Sequence, residues 1–266
     1  MLQIVHDIAP GASLSFASAF NGMASFASNI QALAAAGAKV IVDDVFYFAE
    51  PMFQDGIIAQ AVDSVVAGGV AYFSAAGNQA RQSYQSVFRP GDFFADGGFP
   101  SVGVGPHFFG GTAHNFNLSK GMDVFQKFTL PAGKSLIISF QWDSPAFSVS
   151  GTPGSPNDLD LYILNDPPTQ VLAGAANNNV GGDPIEVLSV TNTSGGDLTL
   201  NIMLVKHSGS DPGLIKYILI NFSGTIQEFA TNSGTIFGHA NAVGAEAVGA
   251  ARYTNTPAFG DRKSVV

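Results

Sequence analysis

The 266-residue chain has no cysteine, which excludes disulfides and leaves the redox compartment unmarked. Charge is scarce too, at 12% of residues. Only 11 side chains are Lys or Arg against 20 Asp or Glu, a net charge of −9 that argues against nucleic acid or an anionic membrane as partner. No run approaches the ~18 consecutive apolar residues of a membrane span. Met1 opens directly on LQIVHDIAP, with no basic start, apolar core or small-residue cleavage site, so no signal peptide is expected in these residues. A secreted parent protein would carry its leader upstream. What is abundant is Gly, Ser and Asn on a 46% hydrophobic background, enough for one large or two medium domains.

The most informative stretch is Gly56 to Asn78, GIIAQAVDSVVAGGVAYFSAAGN. Ile57, Ile58, Ala61, Val62, Val65 and Val66 recur at helical spacing, and Gly68-Gly69 supplies a C-terminal stop. Val70 to Ala76 is nearly free of polar atoms, as expected of a strand covered on both faces. It stops at Gly77-Asn78. A polar residue at the carboxyl end of such a strand is where α/β sheets place their chemistry, although Asn is also a common turn residue.

VAYFSAAGN after such a helix resembles the subtilisin-like serine proteases. That resemblance implies that Asn78 donates a hydrogen bond to the oxyanion. Upstream, IVHDIAPGASLSFA is similar to the family's segment after the catalytic-histidine helix: a helix end, a turn at Ala9-Pro10-Gly11 and a strand from Ser13 to Ala17. His6 falls too late in that segment to be the catalytic histidine. Phe26, Ile30, Leu33 and Ala34 mark a second helix ending at Gly37, and Lys39 to Val45 the next strand. In the family the end of this strand borders the substrate, which implies a substrate-binding role for Asp44, Val45 and Phe46. The chain departs from the family there, placing Asp43-Asp44-Val45-Phe46 where a Ser-Leu-Gly type run is usual. Adjacent carboxylates would favour basic substrate side chains or raise one pKa by repulsion, or else be solvated or cap a turn.

From about Arg89 to Gln227 helical spacing gives way to alternation between Gly, Pro and Asn turns. Leu136, Ile138, Phe140 and Trp142 share one face; Leu159, Leu161 and Ile163 oppose Asp158, Asp160 and Tyr162; Leu198, Leu200, Ile202 and Leu204 oppose Thr199, Asn201 and Met203. Seven to nine strands are expected, enough for a β-sandwich. FQKFTLPAGKSLIISFQW, NDLDLYILN and GLIKYILIN, in that order, resemble the prepeptidase C-terminal-type domains of secreted bacterial proteases, which implies a jelly-roll-like sandwich. Asp158 and Asp160 alternate on one strand face, so calcium is a candidate ligand, against the alternative of a solvated outer face. GTIFGHANAVGAEAVGAARY then matches the subtilase strand that follows the AAGN segment, with Ala245 to Ala251 as the strand. His239 there is expected to pack near the sheet's end.

The expected fold class is therefore an α/β parallel sheet, subtilisin-like and incomplete, interrupted by an all-β jelly-roll-like sandwich. Its segments are residues 1–88, 89–229 and 230–266. By motif, the chain resembles the part of a subtilase between the catalytic His and Ser: it holds the oxyanion asparagine and none of the triad, and it stops short of the helix that carries the nucleophile. The five histidines form no metal-ligand spacing, and no Gly-x-Ser-x-Gly elbow or phosphate loop is present. The implied function is a central fragment of a secreted, extracellular serine endopeptidase acting on protein or peptide, inactive by itself. The alternative is a non-catalytic chain whose sandwich binds protein or polysaccharide. A third reading is an α/β ligand-binding domain unrelated to proteases.

Overall fold

The computed structural model describes residues 2–102, 106–119, 121–252 and 254. In chain order the first elements are α1 (Leu2–Ile8), α2 (Met23–Ala35), β1 (Val40–Asp43), α3 (Ile57–Ala67) and β2 (Ala71–Ala75). Next come β3 (Ser83–Val87), β4 (Pro90–Phe94), β5 (Gly111–His114), β6 (Gln126–Leu130), β7 (Ser135–Trp142), the short α4 (Phe147–Ser150) and β8 (Asp158–Asn165). The last are β9 (Val171–Ala175), β10 (Ile185–Thr191), β11 (Leu198–Ser208), β12 (Leu214–Ile220), β13 (Thr225–Ile226), a 3-10 turn at Gly238–Asn241 and β14 (Ala245–Val248). The chain divides into two compact units, one made of the residues up to Tyr47, Asp55–Ala76 and those from Ile236 onward, the other of Phe48–Gln54 and Gly77–Thr235.

In the first unit β1, β2 and β14 form a parallel sheet in that order. Helix α3 ends where its sequence asks it to. Gly69 takes a φ of 88°, and the Val70 N–H reaches back to the Val65 carbonyl at 3.1 Å, closing the last turn. Phe26 and Ile30 of α2 and Ile58, Val62 and Val65 of α3 pack on Ile41 and Tyr72 of the sheet. Both helices cover the same face. On the other, Val40, Val42 and Val248 are exposed, and in β2 Ala71 is exposed with Phe73 and Ala75 half-buried, so β2 is not covered on both faces as expected. Residues 13–17 form no strand despite their alternation, and Phe16 is 77% exposed. Alternation marks which side chains share a face; a strand also needs a neighbour's backbone to pair with.

The second unit is antiparallel. One sheet runs β10-β7-β12-β3; the other runs β13-β6-β11-β5-β4, with β8 paired to β11 and β9 to β8. Between them lies the main core. Phe140 and Trp142 of β7 and Ile215 and Leu219 of β12 meet Leu161 and Ile163 of β8 and Ile202 and Leu204 of β11. A second core covers the opposite face of β8 and β11, where Tyr162, Leu164, Met203 and Val205 pack under Phe108 and Val124, with Phe94, Phe99 and Phe125 around them. The two middle strands are therefore buried on both faces.

An α/β parallel-sheet class therefore does not describe this chain. It is mostly β with largely antiparallel sheets, and 16% of its residues are helical. Among the described residues the glycine-capped helices support only three parallel strands of four or five residues, whereas the period-two runs between Ser83 and Ile226 supply β3 to β13.

Candidate functional site

Asp43 ends β1 and lies level with Ser74 of β2. Its Oδ1 accepts from the Ser74 hydroxyl at 2.9 Å and from His239 Nε2 at 3.1 Å. Burial alone would raise the Asp43 carboxyl. The hydrogen bond and charge of His239, with the Tyr72 hydroxyl nearby and the hydrogen bond from Ser74, overcome it and hold the group below the ordinary carboxylate value. The repulsive effect expected of the Asp43-Asp44 pair does not govern Asp43. The His239 ring stands edge-on to Phe26, with centroids 5.4 Å apart. A nucleophilic relay needs the histidine between serine and carboxylate. Here serine and histidine converge on one carboxylate oxygen, and each residue is 1% exposed. The cluster is a buried polar clamp between strand ends and the 3-10 turn.

The residues after β1 are accessible. Asp44 and Phe46 are exposed and Val45 is half-buried, with the Phe46 ring 6.3 Å from that of Phe237. These three belong to the first unit. Asn78 belongs to the second and is exposed just after Gly77.

Asp158 and Asp160 do not sit on a solvated face. Both are buried, and so is Glu186 of β10 in the other sheet. Burial pushes Asp160 up to about 7; the Tyr162 hydroxyl, donating at 2.9 Å, opposes this, and the charge of Asp158 adds to it. Glu186 is likewise raised by burial to about 7, against hydrogen bonds from the Asn177 backbone and side chain at 2.6 and 2.8 Å. Asp158 is raised by burial while accepting from the Asn179 N–H at 3.1 Å. Calcium takes six to eight oxygens around one point. Among the described residues no group of three or more His, Asp or Glu side chains is placed to hold one metal ion. Asp158, Asp160 and Glu186 are buried acids that hold protons more tightly than usual. Glu186 escaped the sequence reading, although it shares the alternating face of Leu188 and Val190, an anomalous place for a charge.

His114 is wholly buried in the second unit. Arg89 N–H donates to its Nδ1 at 3.1 Å, which leaves the proton on Nε2, 2.9 Å from the Tyr84 hydroxyl. Burial, then the Arg89 charge, lowers its pKa to about 3, so the ring is neutral and structural.

No protein-family model and no curated protein matches the chain. Among solved structures, the CspB protease of Clostridium perfringens is similar over 89% of this chain and 46% of its own, at 11% identity and a TM-score of 0.42. Xyl-CBM35, solved in complex with a glucuronic acid-containing disaccharide, is similar over 54% of this chain and 96% of its own, at 13% identity and a TM-score of 0.26. The chain thus spans less than half the length of the protease, and at these scores neither likeness bears on activity.

Proposed function

We propose that the chain takes part in peptide-bond hydrolysis of the serine-peptidase type without being the whole catalyst. Asn78 donates its side-chain N–H to the oxyanion of the tetrahedral intermediate, and the nucleophile and its base come from polypeptide outside this sequence. One observation carries the reading. Asparagines that shape turns here accept a backbone N–H two residues on: Asn115 from Asn117 at 3.0 Å, Asn117 from Ser119 at 2.9 Å, Asn192 from Ser194 at 2.9 Å. The exposed Asn78 side chain makes no hydrogen bond among the described residues. It is a donor held at a strand end with nothing local to donate to.

As the intermediate forms, negative charge moves onto the former carbonyl oxygen, and a fixed neutral amide aimed there stabilises the transition state above the ground state. The substrate is then a protein or peptide. The low charge and the abundance of Gly, Ser and Asn suit an extracellular, secreted bacterial setting. In the peptidase with its flanking polypeptide, Asn78→Ala should lower kcat about 10²–10³-fold, a magnitude taken from subtilisin rather than derived. KM and melting temperature should stay nearly unchanged. A lower melting temperature with intact kcat would make Asn78 a turn residue and end the proposal.

A further inference from the structure

The second unit holds a cavity of about 310 Å³ that the Asn78 reading does not use. Its floor is Tyr217 and Gln126, both fully buried. Their polar atoms are engaged inward: the Tyr217 hydroxyl donates to Gln126 Oε1, and Gln126 Nε2 donates to the carbonyls of Glu228 and Phe229 at 3.2 and 3.0 Å. Phe222 and Ile226 give apolar walls. Lower on the rim, Gln82 and Ser83 are also occupied, donating to the carbonyls of Phe222 and Ser233 at 2.9 and 2.7 Å. The free recognition groups are thus Arg81, Thr225 and Asn232.

Arg81 sets the chemistry. Its guanidinium gives one N–H to the Asn232 carbonyl at 3.2 Å and has four more donors. Among the described residues no carboxylate pairs with it, and no acidic residue lines the cavity. On a chain of net charge −9, this is a pocket whose one ionic group is positive.

The backbone supports the same place. Four non-glycine residues among those described have positive φ: Ala80 at 49°, Asn221 at 59°, Phe229 at 54° and Asn232 at 48°. Asn232 lines the cavity, and each of the others directly precedes a lining residue, Arg81, Phe222 or Ala230. Asparagine tolerates this conformation; Ala80 and Phe229 do not adopt it without cause. Such strain gathers where a site must be held in shape.

We propose that this cavity binds a small carboxylate, its oxygens held by the Arg81 fork and its body resting on Tyr217 and Phe222. The volume lies at the small end of ligand pockets, about 300–1,000 Å³, and suits one sugar ring or one amino-acid unit. A planar guanidinium matches a carboxylate in two parallel hydrogen bonds. A sugar acid and a peptide carboxyl terminus share this chemistry.

Isothermal titration of the whole chain tests the site with two acids and their uncharged counterparts: galacturonate against galactose, and N-acetylalanine against N-acetylalaninamide. At least one acid should bind saturably, about tenfold or more tighter than its counterpart, and the one that binds tells the sugar source from the peptide source. Arg81→Gln should weaken it about tenfold or more. Ala230→Phe, which fills the cavity and leaves Arg81 in place, should abolish it. Because Arg81 is exposed, its variant decides the matter if Ala230→Phe fails to fold. Binding of neither acid, equal binding of acid and counterpart, or unchanged binding in Arg81→Gln overturns the proposal.

Discussion

His239 Nε2 donates to Asp43 Oδ1 across 3.1 Å, with 1% and 7% of the two side chains exposed. The pair joins residues 196 positions apart at the carboxyl end of the parallel sheet. Removing one partner of a buried pair leaves the other stranded, at about 3–5 kcal/mol. Asp43→Ala should destabilise the first unit by about that much, and Asp43→Asn, which keeps an acceptor, by about 1–2 kcal/mol. Because the folded carboxyl titrates below its ordinary 3.8, its contribution is present above that pH and is lost as pH falls through the lower folded value. Denaturant titrations of both variants from neutral to acid pH, followed by far-UV circular dichroism, check this. The difference from wild type should shrink on the acid side.

The sandwich should respond to pH in the opposite sense. Asp160 and Glu186 are raised to about 7 from 3.8 and 4.5, so between those values the folded state binds more protons than the unfolded one. Their contribution is full below about pH 4 and is lost by about pH 7, on the order of 1–4 kcal/mol each. His114, lowered to about 3, pulls the other way between pH 3 and 6.5, so the comparison must be with variants. Asp160→Asn should gain on wild type as pH rises from 4 to 7. The chain's one tryptophan, Trp142, is wholly buried in this core, so its fluorescence reports the transition. Parallel pH curves for variant and wild type would show that the carboxyl titrates normally.

How far the sequence carried can be read from β8. The alternation of Leu159, Leu161 and Ile163 against Asp158, Asp160 and Tyr162 located the strand and its two faces. It could not say that the acidic face is covered. That layer comes from Phe94, Phe99, Phe108 and Val124, tens of residues upstream. Helix α3 and strand β2 were legible because their signals are local: a periodic stripe, a glycine stop, a short apolar run. The fold class was not, because the strongest local signals lay in the smaller share of the chain. The cavity left no trace in the sequence at all, since its lining spans Arg81 to Asn232 and no local pattern joins them.

Calcium provides a third check. With no three acids placed around one point among the described residues, calcium should leave the Trp142-reported melting temperature unchanged, and a chelator should do nothing. A rise that saturates with calcium would require a shell completed by other oxygens.

The last prediction concerns Gly224, at the cavity wall beside β13. Strand β13 pairs Thr225 with Thr129 and Ile226 with Phe128 of β6. A Cβ built on Gly224 would lie 1.8 Å from the Thr129 carbonyl oxygen and 2.6 Å from the Phe222 ring. The first obstacle is backbone inside a paired strand, so the 222–226 segment must move away from β6. Overpacking of this kind costs about 1–3 kcal/mol, and Gly224→Ala should lower stability by that order. Gly195 is the control: a Cβ there meets nothing within 4 Å, so Gly195→Ala should change stability by less than about 0.5 kcal/mol. The same displacement would carry Phe222, Thr225 and Ile226 away from their places in the wall. Gly224→Ala should therefore weaken carboxylate binding even at temperatures where it is fully folded, whereas Gly195→Ala should bind as wild type does. Titration and melting of the two alanine variants side by side separate loss of the wall from loss of the fold.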